Sequence, residues 1–349
     1  MKPFAALLIV ITVISCKNSE NKGEASSADE QTAVPLPISP DHRPEYLSKA
    51  GIFLDLATLQ PHSSFLAYEI NHEFWSDFGT KKRWALTGAP GIRQENANWQ
   101  IPVGSTFIKH FEMPTSQVDL SQIRSVETRV LVKSASGWIA SSYIWNEAQT
   151  EATLAKGGET IELSIQRGTG PDKVINWTVP SEGQCFSCHN EKAGVILGVR
   201  PRQLNRPNPS GEGNQLELWQ DKGWLQGNWS NDEAKPYPSR QDANTNAEAL
   251  ARAYLEVNCG FCHQPEGFER NLNLSWSANL QSLQDASFFY DDLGIADAKI
   301  VAPGIPEQSL LWLRMSRTDR YRMPYISSYE VDERGLAIIA DWIQSLPSP

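Results

Sequence analysis

RAYLEVNCGFCH (residues 252–263) is the stretch from which the rest of the chain can be read. It begins as an amphipathic helix and ends in Cys259-Gly260-Phe261-Cys262-His263; the same ending, Cys185-Phe186-Ser187-Cys188-His189, stands 74 residues earlier. Two thiols three positions apart can add to the two vinyl groups of one haem. The histidine that follows then falls beneath the iron as an axial ligand. The pattern predicts two covalently attached haem c groups, held by Cys185 and Cys188 with His189 as proximal ligand, and by Cys259 and Cys262 with His263 as proximal ligand.

Other chemistries use the same cysteine spacing. A four-cysteine zinc ribbon usually separates its pairs by about 15 to 20 residues, much less than here. A redox Cys-x-x-Cys belongs in a βαβ context, which neither pair has. For the second group the distal candidates are Met315 and Met323. Met315 continues an apolar helical pattern (Leu311 to Met315), which reads as core packing. Met323 lies in Tyr321-Arg322-Met323-Pro324, a loop between two expected helices, and is the favoured ligand. A His/Met pair raises the potential relative to bis-histidine. For the first group His110, Met113, His62 and His72 are open candidates, with His110 ahead and an open five-coordinate iron as the other possibility.

Away from the motifs, the composition is ordinary for a globular protein: 40% apolar and 21% charged residues over 349 positions. The formal net charge of −10 argues against nucleic acid as a partner. Five cysteines make a poor disulfide framework for this length. Four of them form the two motifs. The fifth, Cys16, ends an apolar run from Phe4 to Ile14 that has the length of a signal-peptide core and is too short to span a bilayer. Val13-Ile14-Ser15-Cys16 looks like a lipobox, although relatives usually carry leucine where Val13 stands. Residues 1–15 read as a signal peptide and 16–40 as a lipid-anchored flexible linker, polar and then proline-rich. The body is expected to be exported, in the periplasm or cell envelope, and held to a membrane through lipid on Cys16.

Residues 41–180 read as β-rich. Arg124 to Lys133 alternates with Val126, Thr128, Val130 and Val132 on one face. A turn at Ser134–Gly137 leads into Trp138 to Trp145, and further strands are expected at Thr160–Gln166 and Val174–Val179. Residues 181–240 and 241–349 change to helices and polar loops. Helices are expected at Asn214–Gly223, from a Thr245/Glu248 capping box to about Asn258, after Pro306, and from an Asp332 cap to about Pro347. The numerous tryptophans before the first motif read as packing rather than a sugar site. Asp291, Asp292 and Asp297 read as a solvated loop. The fold expected is α+β and multidomain: a β-sandwich-like N-terminal domain followed by mainly α-helical segments.

The chain resembles a family of exported di-haem c-type cytochromes, related to modules associated with quinoprotein glucose/sorbosone dehydrogenases. The resemblance spans roughly residues 45 to 346. It rests on Asn71 to Asp77, Lys82-Arg83-Trp84, Lys109-His110-Phe111, Glu127-Thr128-Arg129, Tyr143-Ile144-Trp145-Asn146, Gln184 to His189, Arg202 to Arg206, Arg252 to His263, Val301-Ala302-Pro303-Gly304, Met323-Pro324 and Asp341-Trp342-Ile343. Tyr325 stands where relatives often carry a second proline. The resemblance implies two cytochrome c segments (181–240, and a class I-like domain at 241–349), Met323 as a distal ligand, and electron transfer from a partner such as a quinoprotein dehydrogenase to a respiratory chain. Two other readings are a di-haem peroxidase with an open first haem and a carbohydrate- or partner-binding module with haem redox function.

Overall fold

A computed structural model describes residues 37–95, 98–191, 193–227, 231–239, 245–265, 267–285, 291–326 and 328–347. Cys16, the signal segment and most of the linker lie outside them. Every described residue falls in one compact unit, Val34–Pro349. No described helix is long and apolar enough to cross a membrane.

The strands are β1 (Phe53–Asp55), β2 (Gln60–Pro61), β3 (Leu66–Ala67), β4 (Thr80–Leu86), β5 (Ile92–Glu95), β6 (Asn98–Gln100), β7 (Thr106–Pro114), β8 (Ile123–Ser134), β9 (Gly137–Trp145), β10 (Ala152–Leu154), β11 (Glu159–Ile165), β12 (Lys173–Val179) and β13 (Leu225–Gln226). The helices are α1 (Glu182–Cys188), α2 (Pro201–Leu204), α3 (Gln215–Asp221), α4 (Asn231–Ala234), α5 (Ala247–Asn258), α6 (Ser282–Asp285), α7 (Leu310–Met315) and α8 (Glu333–Ser345). The fold is mixed α and β with several sheets. The largest sheet has six antiparallel strands in the order β10-β9-β8-β7-β4-β3.

Strand alternation divides this sheet into two faces. Trp84, Ile108, Val130, Ile139, Tyr143 and Trp145 pack under the N-terminal segment that carries Ile38, Leu47, Ile52 and Phe65. On the other face, Ala85, Phe107, Leu131 and Ala140 pack against Val195, Ile196, Val199 and Leu204, which follow the first motif. The ribbon β11–β12 covers the far end of that second face through Leu163, Ile175 and Trp177. With both faces buried, β8 loses the simple in/out polarity of a half-buried strand. Val126 also leaves the face expected for it. The pairing slips between Phe111 and Glu112 on β7, and Val126 packs with Phe111 and Trp177 instead; an extra residue in one strand turns side chains to the opposite side.

Two parts of the expected architecture differ. Among the described residues no second sheet of comparable size faces the six-stranded one, as a sandwich requires; the ribbon has only two strands. The chain beyond residue 181 is dominated by loops, with α5 (12 residues) and α8 (13 residues) as its longest helices. Its Pro-, Gly- and Asn-rich stretches stop helices after one or two turns. At finer scale, Asn246 rather than Thr245 caps α5, accepting from the Ala249 amide at 2.8 Å. Pro306 opens a 3₁₀ turn ahead of α7. Asp332 caps α8 as expected, accepting from the Gly335 amide at 2.9 Å. A Cβ on Gly335 would come within 2.3 Å of the Tyr254 ring, so this glycine is what lets α8 pack closely on α5.

Candidate functional site: two Cys-x-x-Cys-His motifs

The first motif is built on α1. Ser181 and Gln184 form a reciprocal capping box at its start, satisfying two amides that a short helix would otherwise leave open. Cys185 and Cys188 then lie one turn apart, and His189 caps the end, its amide donating to the Cys185 carbonyl at 2.9 Å. The Nδ1 of His189 is 2.7 Å from the Val195 carbonyl. A carbonyl can only accept, so Nδ1 carries the proton and Nε2 keeps its lone pair. Burial, then the nearby Lys109 ammonium, pulls the His189 pKa down to about 3. The ring is therefore neutral at physiological pH, the form that ligates metal.

The cleft beside Cys185 and His189 is only about 30 Å³ and is walled by Tyr68, Phe107, Lys109 and Arg129. The first motif thus has a donor set that fits a haem but no room for one in that cleft. The wall is mostly apolar, with Lys109 and Arg129 as its two basic side chains. Arg129 makes a two-point ion pair with Glu127 (2.7 and 2.8 Å), and the Trp177 indole also donates to Glu127. Arg83 pairs with Glu73. Lys109 has its Nζ 5.5 Å from the centre of the Phe74 ring. Burial, then Arg83 and Arg129, lowers its pKa to about 7.

His110 is not brought to this motif. It faces the opposite side of the sheet, fully buried, with Nδ1 2.8 Å from the Thr128 hydroxyl and its ring 5.4 Å from Trp145. Adjacent strand residues point to opposite faces, and it is Lys109 that points toward Cys185 and His189. Met113 is buried with Phe111 and Trp177. His62 bonds Ser64, and His72 bonds the Pro238 carbonyl at 2.5 Å.

The second motif follows α5 directly. The Cys259 amide donates to Leu255, and the amides of Cys262 and His263 both donate to the Cys259 carbonyl, at 3.0 and 2.9 Å. A Cβ on Gly260 would lie 2.8 Å from the Glu256 carbonyl, so the turn needs glycine inside the motif. Cys259 and His263 open onto an apolar cavity of about 580 Å³. This is within the range of about 300–1,000 Å³ usual for small-molecule and cofactor pockets. Leu272, Ile300 and Leu311 contribute to its wall, as do Met315 and Met323. His263 Nδ1 is buried with no hydrogen-bond partner, and burial holds the ring neutral by lowering its pKa. Burial raises the Cys259 thiol to about 12. Met315 is part of the helical core with Tyr254, Ile339 and Trp342 and also reaches the cavity. Met323 is on a loop, its amide donating to the Arg314 carbonyl at 2.9 Å. The donor set, the size of the cavity and its largely apolar lining fit a haem, and His263 and Met323 both line that cavity.

The two motifs meet. The Cys262 thiol donates to Cys188, which draws the Cys188 pKa down and raises that of Cys262. Phe74 stands between the motif regions, 6.4 Å from Phe261 between ring centres. Among the described residues no three His, Cys, Asp or Glu side chains gather as a metal cluster, so the four cysteines do not form a zinc ribbon there. A haem iron needs only two protein ligands, one of which can be methionine. Asp291 and Asp292 accept from the amides of Leu293 and Gly294 and serve local turns.

Comparison with known protein families, with curated proteins and with solved structures gives no match.

Proposed function

We propose that the protein is an exported di-haem c-type cytochrome that transfers electrons, taking them from a partner dehydrogenase, such as a quinoprotein enzyme, and passing them to a respiratory chain. One observation carries this reading: Cys259, His263 and Met323 line the same largely apolar cavity of about 580 Å³, so a thiol of the motif and both candidate axial ligands border one space of cofactor size. The bound iron would supply one-electron chemistry, with the His/Met pair favouring a raised potential. The chain's part is to keep His263 neutral, to hold Met323 at the cavity wall and to surround the site with apolar side chains such as Leu272, Leu311 and Ile300. Contact between Cys188 and Cys262 supports the electron-transfer reading, since it brings the attachment points of the two groups together. The first motif is proposed as the second attachment site on its donor set alone, Cys185, Cys188 and His189, although the cleft of about 30 Å³ beside it leaves no room for the group as the side chains stand.

The net charge of −10 suits steering toward a basic partner surface. Lipid on Cys16 would hold the body at a membrane. Neither a peroxidase nor a carbohydrate-binding reading is favoured by any contact described above. Production in a host that attaches haem c, followed by mass spectrometry of the denatured chain and a redox titration, tests the proposal. Two covalent haems and reversible one-electron waves are expected; a chain without covalent haem overturns it.

A further inference from the structure

One short loop before β4, Trp75 to Phe78, reaches across to the second motif. The Trp75 amide donates to the Asn258 side-chain oxygen at 2.8 Å, and Asn258 is the residue immediately before Cys259. The Trp75 indole donates to the Glu330 carbonyl at 2.9 Å. Asp77 is 2% exposed, yet its carboxylate accepts from the amides of Tyr329 and Glu330, both at 2.9 Å, and from the Ser328 hydroxyl at 3.3 Å. Those partners lie about 250 residues further along the chain.

The segment Asp77 grips is tied in turn to Met323. Arg322 donates to the carbonyls of Ser328 and Tyr325 at 3.0 and 2.9 Å, and its guanidinium lies 4.4 Å from the Tyr329 ring centre. Trp75 lines one small cleft together with Met315, Met323 and Pro324. Lys173 on β12 adds an ion pair to Glu330 at 2.6 Å and lies 4.6 Å from the Phe78 ring centre. Asp77 and Phe78 have φ of +42° and +69°. Non-glycine residues adopt this left-handed region at a cost and usually keep it only where surrounding contacts require it. Here the contacts are those to the Met323 segment.

We infer that the Trp75–Phe78 loop is a strap by which the β-rich part of the chain positions both axial-ligand segments of the second site, with Asp77 as the positioning residue for Met323. The inference rests on the haem reading of the second motif. It gives the β-rich region a role in setting the properties of a redox site built by the opposite end of the chain.

The test uses the full-length holoprotein and reads the methionine-to-iron absorption band, the potential of the higher-potential haem and covalent haem content. In Asp77→Ala, haem content is expected to stay at the wild-type level. The band should be lost or strongly reduced, the potential should fall, and the amides of Tyr329 and Glu330 should exchange faster. Trp75→Phe keeps the ring and removes only the indole donor. It should shift the same readouts less, and it decides the matter if Asp77→Ala does not fold. Leu47→Ala, in the core on the opposite face of the six-stranded sheet, should lower stability and leave band and potential unchanged. If Asp77→Ala and Trp75→Phe both retain the wild-type band and potential, the strap is overturned. If the wild type carries no covalent haem, or Met323→Ala keeps the band, the haem reading has failed instead.

Discussion

The two Cys-x-x-Cys-His motifs carry the same chemistry in opposite settings. The second follows a 12-residue helix and opens on a cavity of about 580 Å³; the first sits on a 7-residue helix against a sheet, beside a cleft of about 30 Å³. Both walls are mainly apolar, but the second has Met315 and Met323 in it and the first has Lys109 and Arg129. The difference teaches that the same five-residue motif does not fix its surroundings: the chain around it decides space and local charge. An apolar wall with methionine stabilises the less charged, reduced state of an iron. At the first motif Arg129 is already paired with Glu127, and Lys109 is held partly neutral by burial and the neighbouring arginines.

The largest effect should come from removing the second attachment. Cys259→Ala with Cys262→Ala is expected to leave the cavity unfilled and to cut stability heavily, because an emptied core loses its packing contacts. Cys185→Ala with Cys188→Ala should lose one haem while leaving the fold intact. Mass spectrometry and thermal melts of the two double variants check this, and equal melting points would erase the contrast. Next comes Gly335→Ala, whose added methyl meets the Tyr254 ring at 2.3 Å. It should destabilise the second site by about 1–3 kcal/mol through overpacking, read by urea unfolding, without altering the haem at the first motif.

Met323→Ala should keep both haems attached but lower one potential on the order of 0.1 V, a part of the about 0.8 V span that axial ligands set. A redox titration that shows both potentials unmoved would remove Met323 as ligand. At the first site, Lys109 has a folded pKa near 7, well below its ordinary value. Between about pH 7 and 10 the unfolded chain then binds more protons than the folded one, so stability from this group rises with pH across that window. Lys109→Met should flatten that rise, which urea midpoints measured across the window will show. The smallest effect is expected from His110→Phe. It loses the Thr128 bond, at about 1 kcal/mol, and should leave both haem spectra as they were, because His110 faces away from the first motif.

Much of the local structure was legible in the sequence. The strands around the Ser134–Gly137 turn, the helix running into Cys259 and the Asp332 cap follow from periodicity and capping chemistry, both of which act over a few residues. The errors were local as well: Asn246 caps α5 one residue beyond Thr245, and Val126 moves across the sheet at an irregularity that no alternation reveals. The choice of His110 followed residue type, and strand alternation already put Lys109 and His110 on opposite faces. What alternation could not say was which face the first motif would cover.

By itself, then, the sequence determined the two motifs, the loop that carries Met323-Pro324 and the Asp332 cap, since each is written in residues close together. Only the tertiary structure decided that Cys188 meets Cys262, that His263 and Met323 share a cavity, and that Asp77 grips the backbone at Tyr329 and Glu330. The physical reason is that these contacts join segments tens to hundreds of residues apart. They are set by how apolar faces are buried together, which no short-range pattern encodes.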